Sequence, residues 1–244
     1  MTGAEQILNH DPYYILDNVA FVRLVDHMGT DQDIVRAARV SYDADWRAGD
    51  SEGSDKRLIG YLMKNAHTSP FEAVQLTVEI CCPMFIARQW HRHRTWSYNE
   101  VSARYTELDM GYYIPRLEDV GVQSKDNKQV RDRVEMTEAQ QDLAMDFVDG
   151  LRTQSESAFK EYKYWLEQGV PREIARSLLP MNTYTRFFGS VNLHNMFHFL
   201  RLRLHSHTQY EMRMYALALL HICSVIAPVA TRAFKDNLRF EVVE

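Results

Sequence analysis

Residues 89 to 105 read QWHRHRTWSYNEVSARY and hold Arg92, Arg94, Arg104, His91 and His93 against a single carboxylate, Glu100. The chain around them is acidic, with 28 Lys plus Arg, 33 Asp plus Glu and a formal net charge of -5. Concentrated cations in an acidic chain suit a compact anionic ligand; a spread polyanion usually needs a broad basic face. Arginine forks hold phosphate oxygens, while the amide of Asn99 and the hydroxyl of Ser102 can read the polar edge of a ring. Trp96, Tyr98 and Tyr105 are interleaved with them. That mixture suits a phosphorylated heterocycle. Two other readings stay open on these residues alone. One is a solvated cationic helix end followed by a loop. The other is a nucleotide- or RNA-binding module in which aromatics stack bases, although net acidity and the lack of an RNP-like motif weigh against it.

Several chemistries are excluded by what the chain lacks. No GxGxxG and no GxxxxGK[ST] occurs, which argues against a Rossmann site and a P-loop. There is no GxSxG elbow. Cys81, Cys82 and Cys223 form an odd set without CxxC spacing, which reads as reduced cytoplasmic cysteine packed in a core. None has an evident base partner, and Ser102 has no His–Asp pair, so neither residue type reads as a nucleophile. His194 and His198 are four apart, half of a metal site, but no carboxylate base lies between them as in HExxH, and no metal is expected. The opening MTGAEQILNHDPYY shows no cationic region followed by an apolar run, so no secretory signal is expected. YALALLHICSVIAPVA is too short to span a bilayer and reads as a buried helix.

The elements that must position these residues follow from pattern. NVAFVRLVDHM reads as an early strand, and Thr30 with Asp33 as a helix start before IVRAARV. Ser54 reads as the cap of a helix through DKRLIGYLMKN. In AVQLTVEI, Val74, Leu76, Val78 and Ile80 alternate with Gln75, Thr77 and Glu79, the period of a half-buried antiparallel strand. Pro83 then opens a helix through MFIARQWHRHR, with Arg88 and Arg92 on one face. Residues 116–133 read as a loop. Thr137 and Gln140 form a capping box ahead of a long helix whose stripe is Leu143, Phe147, Leu151, Ala158, Tyr162 and Trp165. Gly169 stops that helix, and Pro171 starts the next, PREIARSLLP. MNTYTRFF reads as a strand, and SVNLHNMFHFLRLRL and QYEMRMYALALLHICSVIA as two closing helices. Strands interleaved with helices without a βαβ beat give an α+β fold, an antiparallel-type sheet with packed helices, in a single domain over residues 1–244.

RHRTWSYNEVSARY resembles the signature of the flavin-dependent thymidylate synthases. AHTSPFE, PREIARSLLPMNTYTRFFGSVN and LRLRLHSHTQYE resemble further segments of that family, so the likeness covers about residues 35 to 230. It implies FAD contacts from Arg92, His93 and Arg94, with Ser69, Asn192, His194 and His198 adding to them and His67 near flavin and folate. It implies a dUMP site lined by Gln89, Glu100, Ser102 and Arg104, with Glu100 also on the flavin side, Arg92 reaching the phosphate region and Arg176 binding from another segment. Arg203 would face the uracil ring and act as the catalytic group, steadying charge at its N3/O4 edge. The implied reaction needs FAD, NADPH as reductant and 5,10-methylenetetrahydrofolate as carbon donor, and no protein nucleophile. A homotetramer with shared active sites is implied, without nucleic-acid or membrane partners.

Overall fold

The protein is described by a computed structural model covering residues 3–44, 48–49 and 52–242. In chain order the elements are α1 (Gly3–Leu8), β1 (Tyr13–Tyr14), β2 (Phe21–Met28), α2 (Asp31–Arg39), α3 (Glu52–Lys64), β3 (Gln75–Pro83), α4 (Met84–Trp90), β4 (Ser97–Glu100), α5 (Leu117–Val120), β5 (Val122–Gln123), β6 (Arg131–Asp132), α6 (Glu138–Glu167), α7 (Arg172–Ala175), β7 (Tyr184–Asn192), α8 (Leu193–Arg203), α9 (Tyr210–Ile226) and α10 (Pro228–Asp236). The larger sheet has five strands in the order β1-β2-β3-β7-β4, and β5 and β6 form a two-stranded ribbon. Tyr13 faces Val22 and Val122 faces Asp132 in antiparallel register. The α+β class expected from the pattern is the one observed. The described residues cluster in two compact units. One holds the chain up to Ile80, Arg92–Asn99 and Phe187 onward; the other holds Cys81–His91 and Glu100–Arg186.

In the first unit, Thr30 caps α2 by accepting from the Gln32 amide, and the Asp33 carboxylate accepts from the Thr30 amide, as the spacing required. Asp31, next to that cap, finds its partners far along the chain. Its carboxylate accepts from the Val229 and Ala230 amides at 2.9 Å each, at the start of α10. Those amides have no intrahelical acceptor, so the carboxylate supplies one. Burial raises the Asp31 pKa, and the two amide bonds oppose that shift. Phe197 of α8 stacks on Phe234 of α10 at 4.5 Å and meets Phe71 edge-on at 6.2 Å, which seats the turn Ser69–Ala73 against α8.

Several expected boundaries moved. Ser54 lies inside α3, which begins at Glu52, and its hydroxyl accepts from Arg39. On β3 the alternation fails at Glu79, which is only 3% exposed because it pairs with Arg23 of β2. Pro83 ends β3 and serves as the N-cap position of α4. That helix stops at Trp90, so Arg92 and Arg94 lie beyond it and Arg88 and Arg92 share no helical face. β7 runs on to Asn192, so Ser190, Val191 and Asn192 are strand and not helix. Residues 116–133 carry α5 and the β5–β6 ribbon. In the second unit α6 begins with the Thr137–Gln140 capping box and ends before Gly169, whose φ of 86° suits glycine. Its buried side is Ala144, Ser155, Phe159 and Tyr162. Of the expected stripe, Leu143, Phe147 and Trp165 are exposed. Tyr162 is held in place by its hydroxyl, which accepts from the Leu108 amide.

Asp31→Ala removes the acceptor at the α10 start and is expected to lower stability by about 1–2 kcal/mol, the range for a lost helix cap. Urea denaturation measures this; a change under a few tenths of a kcal/mol would show that solvent serves those amides equally well.

Candidate active site

In the first unit, the chain leaves α4 and reaches His93, which is 8% exposed, and then Trp96, which is 6% exposed. Trp96 stacks parallel on Tyr98, with ring centres 6.1 Å apart, and tilts against Phe199 of α8 at 5.3 Å. This layer lies so close to β7 that a Cβ on Gly189 would come within 3.0 Å of the Trp96 ring. Gly189 therefore suits the close approach of an indole, and a side chain there would need the ring to give by a few tenths of an ångström. The Tyr98 hydroxyl donates to the His93 carbonyl at 2.9 Å, and Phe199 meets the His93 ring edge-on at 4.7 Å. Burial raises the Tyr98 phenol well above its ordinary range, so it remains a donor.

Arg203, in the last turn of α8, donates its Nε–H to His93 Nε2 at 3.0 Å. Because Nε2 accepts, the neutral ring carries its proton on Nδ1. Burial, then the Arg203 charge, then His198, push the His93 pKa down to about 4. Arg203 is itself lowered by burial, but a guanidinium keeps its proton in proteins.

The other flavin candidates lie in the same unit except Glu100, which belongs to the second. Arg92, Arg94 and His198 are exposed, and His194 is half-buried on α8. Asn192 caps α8 by accepting from the Asn195 amide at 2.9 Å. Ser69 is exposed on the turn seated against α8, and His67 meets Tyr61 edge-on at 5.8 Å. His93, His198 and Arg203 are the members drawn into one cluster, with the two histidine rings 6.5 Å apart.

The second unit holds Gln89, Glu100, Ser102, Arg104 and Arg176. Arg104 and Arg176 meet through Glu173 of α7: Arg104 Nε lies 3.9 Å from its carboxylate, and Arg176 Nε donates to its carbonyl at 3.2 Å. Ser102 Oγ accepts from the Arg104 amide at 3.3 Å. Glu100 accepts from Thr185 Oγ1 of β7 at 2.5 Å. Gln89 is half-buried on α4. Sequence reasoning passed over Thr185, Glu173 and Gly189. A threonine within a strand reads as ordinary β composition, and nothing in its spacing announces a carboxylate partner.

Cys81, Cys82 and Cys223 are all buried and unbridged. Burial, helped by neighbouring Cys81 and Glu100, pushes the Cys82 thiol far up, and burial takes Cys223 up to about 12. Among the described residues, no three His, Cys, Asp or Glu side chains form a metal-binding group. No described helix is long and apolar enough to cross a membrane.

These features define an α+β protein with exposed arginines, a carboxylate held by a threonine hydroxyl, and thiols that stay buried. The comparisons agree with that class. The family model "Thymidylate synthase complementing protein" matches residues 23–229. The flavin-dependent thymidylate synthase of Treponema denticola is 44% identical over 95% of this chain and 86% of its own length. That of Thermus thermophilus is 45% identical over 92% of this chain and 78% of its own length. The solved UMP/dUMP methylase PolB of Streptomyces cacaoi, bound with 5-Br dUMP, superposes with a TM-score of 0.79 at 36% identity, covering 90% of this chain and 96% of its own. The chain belongs to the flavin-dependent thymidylate synthase family.

The buried neutral histidine gives a pH signature. An unfolded His93 titrates near the ordinary 6.5, whereas the folded one titrates near 4. Between those values the unfolded chain binds more protons, so stability present above about pH 6.5 is lost as pH falls toward 4. His93→Phe is expected to show a shallower decline of unfolding free energy between pH 7 and pH 5 in urea titrations. Parallel curves for the two proteins would place the titration elsewhere.

Proposed function

We propose that the protein converts dUMP to dTMP, taking a one-carbon unit from 5,10-methylenetetrahydrofolate and using FAD reduced by NADPH. The observation that carries this reading is the state of the cysteines: all three are buried, and Cys82 and Cys223 are held as thiols. A thymidylate synthase that attacks the pyrimidine with sulfur needs an accessible thiolate. Here the protein's share is positioning and electrostatics.

The residues fit a flavin. Exposed Arg92 and Arg94 suit its diphosphate, His194 and His198 lie on α8 with Asn192 at its N-cap, Ser69 lies on the turn against it, and His67 is exposed two residues before Ser69. Bound flavin, once reduced, supplies the hydride equivalent that brings the methylene carbon to the methyl level. On the nucleotide, Arg104 and Arg176 offer adjacent cations, Ser102 and Gln89 offer neutral hydrogen-bonding groups, and Glu100 offers a carboxylate oriented by Thr185. Arg92 adds a cation toward the phosphate. Arg203, always charged, steadies negative charge developing on the uracil.

The chain acts as one thymidylate synthase domain in this reading, in the cytoplasm, where its thiols stay reduced. It assembles as a homotetramer with sites shared between subunits. The support is α6, which has a second apolar side. Leu143 is 69% exposed, Phe147 53% and Trp165 41%, and they fall on one helical row. Large exposed apolar rows of this kind mark interfaces.

Two measurements test this. A triple variant with Cys81, Cys82 and Cys223 changed to Ala is expected to keep dTMP synthesis in an assay where FAD, NADPH or methylenetetrahydrofolate omitted singly abolishes it. A folded, flavin-loaded triple variant without turnover would restore a covalent sulfur mechanism. Leu143→Glu with Phe147→Glu is expected to shift the mass seen by light scattering to smaller species; an unchanged mass would take α6 out of the assembly.

A further inference from the structure

We infer that His93 is a positioning residue for Arg203: its ring accepts the guanidinium Nε–H and so fixes the plane in which that cation meets the substrate. This rests on the reading of Arg203 as the group facing the uracil.

Arg203 stands at the last turn of α8, where a long side chain keeps several rotatable bonds. Holding it in one orientation costs rotamer entropy, which a partner's hydrogen bond offsets. A bond through Nε sets the plane of the fork, and it is the planar fork that matches a ring edge. The acceptor is itself immobile. His93 is buried, its ring meets Phe199 at 4.7 Å, and its carbonyl takes the Tyr98 hydroxyl at 2.9 Å.

The choice of acceptor matters. A carboxylate here would orient the guanidinium equally well, but its charge would cancel the field that Arg203 directs at the substrate. A neutral imidazole orients the cation and leaves its charge intact. Arg203 and His198, the charged and titratable groups next to the ring, both favour the uncharged form, and so does burial. The histidine between two exposed arginines therefore differs from them in kind: Arg92 and Arg94 face outward, while His93 points into the unit at Arg203.

The test uses the full-length flavoprotein with His93→Phe, His93→Gln, Arg203→Ala and the double variant His93→Gln/Arg203→Ala. Phenylalanine keeps a ring against Phe199 but has no acceptor; the glutamine amide oxygen can take the Nε–H. Bound FAD, flavin reduction by NADPH and dTMP turnover at saturating dUMP are measured separately. His93→Phe is expected to lower turnover per bound flavin about tenfold or more, with reduction unchanged and His93→Gln recovering part of the loss. In the Arg203→Ala background, His93→Gln should have no further effect, because the group it orients is gone. If His93→Phe does not fold, the cycle built on His93→Gln decides. Additive losses in that cycle overturn the inference, as does a His93→Phe protein that loses FAD but turns over normally per flavin retained. Normal turnover in Arg203→Ala overturns the reading of Arg203 itself, and the inference with it.

Discussion

A hydrogen bond between two groups that would repel if both were charged organises the first unit: Arg203 Nε–H to His93 Nε2. It exists only while the imidazole is neutral, so the surroundings must disfavour imidazolium. Much of the local architecture does this. Phe199 lies against the ring, Trp96 closes over Phe199, and Tyr98 stacks beneath Trp96. Gly189 lets that aromatic layer approach β7. Removing water from one imidazole thus makes demands on a loop, a strand and a helix well separated in the chain.

The sequence carried the class of the fold because its strongest signals are local. The capping boxes at Thr30 and Thr137 and the stop at Gly169 are satisfied within a few residues. The errors arose where a partner lies far along the chain. Glu79 looked solvent-facing by alternation, and Arg23 made its burial tolerable. Ser54 had the chemistry of a cap, but α3 begins before it. The stripe of α6 mixed two apolar sides, since helical spacing gives the angle of each side chain and not what covers it. The site divided the same way. RHRTWSYNEVSARY marked the cations and the ring-reading groups, while Thr185 and Glu173, which hold Glu100 and the arginines, had no spacing to betray them.

The two units handle their arginines by different means. In the second, Arg104 and Arg176 are exposed and share Glu173, and Arg172 lies 3.6 Å from Glu107. Exposed pairs of this kind are worth little and exchange readily with solvent or with a competing anion. Such arginines can turn from a protein oxygen to a competing anion at small cost. Arg203 is half-buried, and its Nε–H is held by a neutral acceptor. Loose cations suit capture of a charged ligand, and a fixed cation suits stabilisation of charge that appears only during reaction.

That division suits a protein without an available thiolate. A nucleophile forms a bond and so needs reactivity at one atom, which a depressed pKa and solvent access provide. Cys82 and Cys223 have neither. Without a covalent step, rate must come from geometry and field, and both are degraded by rotational freedom and by water. A flexible, solvated Arg203 would have its charge screened and its plane averaged. Burying it beside a carboxylate would repair the geometry and cancel the field. Burying it beside a neutral imidazole, in a pocket of aromatic rings that keeps that imidazole neutral, preserves both.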